Sequence, residues 1–423
     1  MKRLGFLTAA LLSMTAFGAE LTRVASSFEE KDPFGMFLDF TFEHTADRGT
    51  ITREWYQNGG LQDVTELRYQ KYESKMGIDV SLGIYKDLEI HVGVPIIFAQ
   101  DRKWFFAGGT DETNSTINRN CPADAAGNGC DPAVAIAGTS SNQLFQVPNS
   151  SYRSGLGDFT FGLAWNPFVQ KKDPSKPTWT LRFDYTAPTA AVLNPSVYTS
   201  NSNRGAVGEK VHKYTFTTAV SKRINQYVEP YFQLSYTLPW RAPGFYSNCD
   251  DASGGRLSYP GNCGANWTRD DTGIKPAHTG GTVFGAEITV FEREDRHQRV
   301  AFDFRGWFNY VSEGRYYNEM SDLFGKLLYS SDYGQVGAQF GFVGQAADFI
   351  KLRAYTSFAY NTEHFLTNEN IGKDLTGNGV VDVTSHPEEI NPNYDFRADR
   401  VGRRFRIEQQ YVFRIQVTAT FNF

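Results

Sequence analysis

The segment from Tyr411 to Phe423 alternates between apolar and polar residues without a break. Its apolar members are Tyr411, Phe413, Ile415, Val417, Ala419, Phe421 and Phe423. Most of the residues between them are polar, such as Arg414 and Gln416. A period of two places the two sets on opposite faces of one β-strand. Such a strand is typical of a sheet that has lipid on one face and water on the other.

The same alternation recurs in about twelve segments along the chain. They are 34–44, 76–84, 88–98, 159–165, 179–185, 214–220, 228–238, 284–290, 300–310, 336–342, 350–360 and 411–423. A two-residue link, Lys86-Asp87, joins the second segment to the third and predicts a tight hairpin. The stretch 64–75 is long enough to extend the second strand beyond a membrane.

The links between these segments alternate strictly in length. The long links are 45–65, 101–156, 189–212, 239–280, 313–333 and 363–404, and the short links are 86–87, 168–178, 223–226, 292–298 and 345–348. Short periplasmic turns and long extracellular loops are the pattern of outer-membrane barrels. The sequence therefore predicts an all-β fold, a transmembrane antiparallel up-and-down β-barrel in which the first strand pairs with the last.

The amino terminus has the layout of a secretory signal peptide. Lys2 and Arg3 precede the apolar stretch 4–12, and small residues follow. A cut after Gly18 puts Ala16 at the minus-three position, whereas a cut after Ala19 puts bulky Phe17 there. We expect a signal peptide over residues 1–19, a periplasmic segment over 20–33 and the barrel over 34–423.

Composition fits a barrel better than a helical membrane protein. Hydrophobic residues make up 40% of the chain, and no later stretch approaches about 18 consecutive apolar residues. Aromatic residues make up 15%, which suits the girdles at the two membrane interfaces. A secreted β-sandwich is also aromatic-rich, but it does not need about twelve strands of similar length. The net charge of -5 argues against a nucleic-acid partner.

The final residues resemble a known assembly signal. Val417, Ala419, Phe421 and Phe423 have the Val-x-Ala-x-Phe-x-Phe spacing of the C-terminal signal of bacterial outer-membrane β-barrels. The resemblance implies that the barrel-assembly machinery reads this strand and inserts the protein among outer-membrane lipids.

The four cysteines form two local pairs in the predicted outer loops. Cys121 and Cys130 share one loop, and Cys249 and Cys263 share another. Two local disulfides are the simplest arrangement for an exported protein, with pairing between the loops as the alternative. Neither pair has a Cys-x-x-Cys spacing or a nearby histidine, which argues against a metal site.

One loop resembles the first part of an EF-hand-like or dockerin-like calcium loop. Its candidate ligands are Asp374, Thr376, Asn378 and Asp382, with glycine at the sixth position. Ser385 stands where the pattern has a bidentate acid, and Glu388 or Glu389 would have to substitute for it. The alternative is a Gly/Asn turn in a solvated loop without a cofactor.

If the apolar faces meet lipid, the opposite faces line the lumen. The predicted lumen residues are Asp39, Glu43, Asp79, Glu89, His91, Arg182, Asp184, Glu229, Arg299, Asp303, Arg305, Lys351, Arg353, Arg406, Glu408 and Arg414. The first three strands contribute acids without lysine or arginine, and the bases gather on the ninth, eleventh and twelfth. This distribution predicts a transverse field in an open pore. The alternative is a plugged interior, because twelve strands lie between the filled eight-stranded and the open sixteen-stranded barrels.

No enzyme motif is present. Outer-membrane phospholipase A, a twelve-stranded enzyme, carries a His-x-Ser-Asn-Gly stretch, and none of the seven histidines begins one here. Gly-x-Ser-x-Gly, paired-histidine zinc and phosphate-loop motifs are also missing from the sequence. The sequence therefore predicts a protein that is not an enzyme.

A stretch of about 35 residues resembles a family of transporters. Two motifs look like those of transporter-like barrels of the phenol meta-pathway type. Gly155-Leu-Gly-Asp158 matches their Gly-x-Gly-Asp strand, and the corner from Asp184 to Thr189 resembles their Leu-Pro-Thr-Gly corner. Ala190 departs from the pattern, because that family has glycine there. The resemblance implies an outer-membrane channel for passive uptake of small, aromatic or apolar molecules. A structural or surface-interaction protein that acts through its long extracellular loops is the alternative.

Overall fold

The computed structural model describes residues 19–27, 35–57, 59–117, 144–254, 257–264 and 266–423. The strands are β1 Met36–Gln57, β2 Gly60–Tyr85, β3 Leu88–Phe106, β4 Asn149–Leu156, β5 Phe159–Phe168, β6 Thr178–Ala187, β7 Val211–Ser221, β8 Val228–Arg241, β9 Thr279–Arg293, β10 Gln298–Val311, β11 Gly314–Tyr316, β12 Leu328–Ser330, β13 Tyr333–Ala347, β14 Ile350–Asn361, β15 His364–Phe365 and β16 Phe405–Asn422. The α-helices are α1 Arg269–Thr272 and α2 Ser321–Phe324, and single 3-10 turns include Glu20–Thr22.

Twelve strands form one closed antiparallel barrel, as predicted. Their order is β1, β2, β3, β5, β6, β7, β8, β9, β10, β13, β14 and β16, and β1 pairs with β16 to close the wall. Met36 and Phe423 complete the closure, because each backbone N–H donates to the carbonyl oxygen of the other, at 3.1 and 2.9 Å. The two-residue turn at Lys86-Asp87 is also confirmed.

The outside of the barrel is apolar. Strands around the whole wall carry exposed aromatic side chains, such as Phe161, Phe232, Phe304, Phe358 and Phe413. The residues that alternate with these positions face the interior. A closed barrel with an apolar exterior is the form in which β-strands cross a bilayer without unpaired backbone groups. The protein is an outer-membrane β-barrel. Within the described residues, no helix is long and apolar enough to cross a membrane.

The first hairpin is much longer than predicted. β1 and β2 stay paired from Met36 and Leu82 up to Gln57 and Gly60, so most of the predicted loop 45–65 is strand. Residues 64–75 extend β2, as the sequence indicated. The upper part of this hairpin carries polar residues on both faces, and the apolar alternation that marks a membrane strand is therefore missing there.

The second long loop is likewise shorter than predicted. β3 continues to Phe106, and β4 pairs with its upper part before the chain enters β5. The kink between β4 and β5 uses the glycines of the Gly-x-Gly-Asp stretch: Gly155 has a φ of +143°, and the N–H of Gly157 donates to the carbonyl oxygen of Pro95 at 2.8 Å. Asp158 Oδ1 accepts from the N–H of Ala190 at 2.9 Å, which ties the kink to the next loop.

Extracellular loops pack into a folded cap over the barrel. Its main apolar cluster joins strand residues such as Ile51, Trp104 and Phe405 to loop residues such as Met320 and Phe324. The predicted bond between Cys249 and Cys263 is present in the cap. Cys121 and Cys130 lie outside the described residues, as do residues 1–18 of the predicted signal peptide.

Candidate functional site in the barrel lumen

Most of the predicted lumen residues face the interior of the barrel. They are Asp39, Glu43, Asp79, Glu89, His91, Arg182, Asp184, Glu229, Arg299, Asp303, Arg305, Lys351, Arg353 and Arg414. Each alternates along its strand with side chains on the apolar outer face, so the strand period that predicted them also positions them.

Arg406 and Glu408 are exceptions, and the prediction for them is wrong. Gln409 has a φ of +49°, and the pairing of β1 with β16 shifts at this point because β16 holds an extra residue there. A β-bulge reverses which residues point inward. Above it, Phe405 and Ile407 enter the apolar cluster of the cap, while Arg406 reaches Asp63 at 3.3 Å outside the barrel.

The extended hairpin adds lumen residues that the sequence analysis missed. Lys71 contacts Glu73 at 3.0 Å, and Lys75 contacts Glu43 at 3.0 Å, all from the inner face of β1 and β2. The prediction that the first three strands carry no inward base is therefore wrong. Both lysines lie in the stretch 64–75, which the sequence predicted to extend the strand beyond the membrane, and for that reason they were not counted among the lumen residues.

The N-terminal segment, residues 19–27, lies inside the periplasmic end of the barrel. The N–H of Ala19 donates to Glu229 Oε1, that of Glu20 to Glu287 Oε1 and that of Ala25 to Glu89 Oε2, each at 2.6 Å. These acceptors come from β8, β9 and β3, on different sides of the wall. Residues 20–27 were expected in the periplasm, and they instead occupy the lumen as a plug.

Ion pairs fasten the N-terminal segment to the opposite wall. Glu20 contacts Lys351, and it lies 3.4 Å from Arg353. Arg23 contacts Asp39 at 3.1 Å, and Asp39 also accepts from Arg353 at 3.1 Å. The segment contributes one acid and one base, and the wall contributes one acid and two bases. The mutual pairing of these charges compensates much of the cost of burying them.

A histidine cluster lies beside this plug. His91 Nε2 is 2.5 Å from Asp184 Oδ1, and His91 Nδ1 is 3.5 Å from Glu89 Oε1. Arg182 approaches the same Glu89 oxygen at 3.8 Å. Gly162 lies beneath the ring, where a Cβ would be 2.2 Å from the imidazole. The glycine therefore makes room for His91 to reach across to β6.

The middle of the lumen is charged and accessible to water. Glu43 Oε1 contacts Lys75 Nζ at 3.0 Å and Arg414 Nε at 3.3 Å. The side chains of Lys75, Arg182 and Arg414 are 36%, 38% and 46% exposed, although all three point inward. Water therefore reaches charged groups inside the barrel, between the plug below and the cap above.

The wall at β10 carries a buried charge cluster. Asp303 is fully buried and accepts from Arg305 Nε at 3.0 Å and from the Tyr231 hydroxyl. Gly341, on the neighbouring strand β13, lies against Asp303 and the ring of Tyr355. Charges on this wall are paired locally, as on the wall of β1 and β2. The lumen therefore presents local ion pairs, within one strand or between neighbouring strands, rather than the separate acidic and basic arcs that the sequence predicted.

The cap contains buried charged groups of its own. Arg153 contacts Asp322 at 2.6 Å, and Arg315 contacts Glu369 at 2.7 Å. Burial raises the pKa of Asp399 to about 7. Burial acts in the same direction on Asp395, but the charge and hydrogen bonds of Arg397 outweigh it and lower the pKa of Asp395 to about 2.

The proposed calcium loop is held by backbone N–H donors. Asp374 accepts from the N–H groups of Gly377 and Gly379, each at 2.6 Å, and Glu389 accepts from those of Leu375 and Asp382 at 2.9 and 2.8 Å. Thr376 donates to Asp374 at 3.2 Å, and Asn378 accepts from the N–H of Val380. In the part of the chain that the structure describes, no cluster of three or more His, Cys, Asp or Glu forms a metal site. These contacts fit a closed Gly/Asn turn, and calcium stays a prediction.

Comparisons with known proteins find membrane barrels that are similar to this chain at a low level. Neither a family model nor a curated protein matches it. Among solved structures it is similar to the COG4313 outer membrane channel from Pseudomonas putida F1 (10% identity, TM-score 0.41, 91% of this chain and 95% of that one). It is also similar to a Pseudomonas aeruginosa FadL homologue (12%, 0.34, 92% and 90%) and to the outer membrane protease OmpT from Escherichia coli (7%, 0.30, 92% and 97%).

Proposed function

We propose that the protein is an outer-membrane channel for the passive uptake of small polar solutes through the barrel lumen. The observation that carries this proposal is the exposure of Lys75, Arg182 and Arg414 on the inner face of the wall. Charged side chains that are solvent-exposed inside a barrel line a path for water and for polar solutes.

The N-terminal plug does not fill the periplasmic end of the lumen completely. A cavity of about 310 Å³ lies between the N-terminal segment and the wall, lined by Arg23 and Ser26 on one side and by Phe37, Asn166 and Lys351 on the other. A small molecule that passes the plug meets polar groups here as well. This lining favours polar solutes over the aromatic or apolar molecules that the family resemblance implies.

Cysteine labelling tests whether the lumen conducts. Arg414→Cys in planar bilayers should show conductance steps that change when a charged methanethiosulfonate reagent is added. Phe413→Cys, the next residue on the same strand, faces lipid and is the matched control, together with reagent-treated wild-type protein. Neither control should change. Silent bilayers, or an Arg414→Cys thiol that does not react, would contradict a conducting lumen.

The cap supports a second candidate function. A polar cleft of about 320 Å³ in the cap is lined by Ser150, Thr199, Asp322 and Arg397 among other residues. A cleft of this kind suits binding of an external partner by a surface-interaction protein. Normal solute uptake in a deletion strain, combined with silent bilayers, would favour this function over the channel.

A further inference from the structure

Ala19 places its backbone nitrogen against a buried carboxylate. The nitrogen lies 2.6 Å from Glu229 Oε1, and the two residues are 0% and 3% exposed. Ser221 Oγ donates to the same oxygen at 2.8 Å. Across the part of the chain that the structure describes, Glu229 Oε2 has no hydrogen-bond partner, and no lysine or arginine nitrogen lies within 4 Å of this carboxylate.

The other two buried carboxylates at this site have cations. Glu287 contacts Arg299 at 2.9 Å, and Glu20 contacts Lys351. A buried carboxylate without a cation is costly, because two neutral donors do not replace its hydration. Glu229 therefore has no cation in direct contact. Arg299 and Arg223 act on its charge only from beyond 4 Å, and the position next to the carboxylate is held by the nitrogen of Ala19.

Processing of the export signal would supply a cation at this position. We propose that the signal peptide is removed between Gly18 and Ala19 and that the new α-ammonium group of Ala19 pairs with Glu229 to anchor the plug. In this hydrolysis water adds its oxygen to the carbonyl carbon of Gly18, the C–N bond breaks, and the released amine takes up protons. The ammonium then offers three donors where the amide offered one.

A cut one residue later does not complete the site. Removal of Ala19 would take away the backbone donor of Glu229 and would put the new charge on Glu20, beside Glu287, which Arg299 already neutralises. It would also leave Phe17 at the minus-three position of the cleavage site, where small residues are the rule. The preference for a small residue at the minus-three position and the lumen geometry thus favour the same bond, one residue before the end expected for the signal peptide at residue 19.

Two measurements on the purified mature protein test the proposal without any transport assay. Intact mass and N-terminal sequencing should show a chain that begins at Ala19, and a chain that begins elsewhere overturns it. An acylating reagent at near-neutral pH should label the α-amine about tenfold more slowly in the folded than in the unfolded protein, because the bond to Glu229 must open first. Equal rates in the two states also overturn the proposal.

Variants separate this ion pair from simple burial. Glu229→Gln should raise the labelling rate of the folded protein about tenfold, whereas Glu73→Gln, another lumen glutamate far from the segment, should leave it unchanged. If Glu229→Gln does not assemble, a chain extended by two residues before Ala19 replaces it and should label rapidly. Slow labelling of either variant would contradict the pairing, whether or not the channel conducts.

Discussion

Arg414 combines inward orientation with the access to water that a selectivity residue needs. It shares Glu43 with Lys75, and replacing it therefore leaves that acid paired with one base. Arg406, eight residues before Arg414 on β16, lies on the other side of the wall because of the bulge at Gln409. The two arginines form a matched pair for separating lumen charge from surface charge.

Loss of Arg414 should make the channel more selective for cations. In Arg414→Gln, one positive charge disappears from the wet lumen, so the reversal potential in a salt gradient should move toward the cation value. Arg406→Gln should leave the reversal potential unchanged. A shift of the same size in both variants would contradict the inward and outward placement of these residues.

Asp303 and Arg305 should stabilise the barrel as a pair. Asp303→Leu leaves Arg305 without its buried partner, and we expect a loss of about 3 kcal/mol, seen as a lower temperature at which the folded, fast-migrating band disappears on gels. Arg305→Met in the same chain removes the unpaired charge and should restore part of the lost stability. An additive effect of the two substitutions would show that the ion pair does not contribute.

The period of two predicts side-chain direction only while the strand remains regular. It placed Glu229, Asp303 and Arg353 correctly because no bulge separates them from the apolar residues used as the reference. It failed at Arg406 because Gln409, a residue with no special preference for positive φ, holds the bulge. The sequence contains no glycine or asparagine there to signal it.

Strand length could be predicted only where the strand touches lipid. Inside the membrane, every second residue must be apolar, and all twelve barrel strands were found from that requirement. Above the membrane, β1 and β2 have water or cap on both faces, so Asp47 and Lys71 carry no pattern that distinguishes a strand from a loop. Backbone pairing, rather than side-chain alternation, holds this part of the hairpin.

The last strand should determine assembly. Replacing Phe421 and Phe423 with serine removes two rings from the outer face, each contributing about 2 kcal/mol of apolar burial, and also removes the residues that resemble the assembly signal. We expect far less protein in the outer membrane at unchanged synthesis, measured by membrane fractionation and heat-modifiable mobility.

A matched variant isolates the signal from the loss of apolar surface. Phe304→Ser with Phe340→Ser removes two neighbouring rings from the outer face of β10 and β13. This variant should reach the membrane in greater amounts than the variant altered at Phe421 and Phe423. Equal losses would mean that apolar burial alone explains the effect and that the terminal residues carry no signal.

At the scale of the whole molecule, the plug and the cap cover the two ends of the lumen, and both are held by contacts between residues that are remote in sequence. The plug joins Ala19 to Glu229 across 210 positions, and the cap joins Arg153 to Asp322 across 169. The period of two along a single strand does not indicate contacts between residues so far apart in the sequence. The strand pattern of the sequence therefore predicts the wall and allows both an open and a plugged interior, but it does not position the plug or the cap.

The central claim is that the lumen conducts and that the N-terminal segment narrows it. The most direct test is single-channel conductance in planar bilayers, measured for the wild-type protein and for a variant that lacks residues 19–27. The barrel closes through Met36 and Phe423 without this segment, so the variant should still assemble. The wild type should give small discrete steps, and the variant should give steps larger by about twofold or more, because a barrel of twelve strands is wider than the filled eight-stranded kind. Steps of equal size in both proteins, or silence in both, would contradict a conducting lumen that the N-terminal segment narrows.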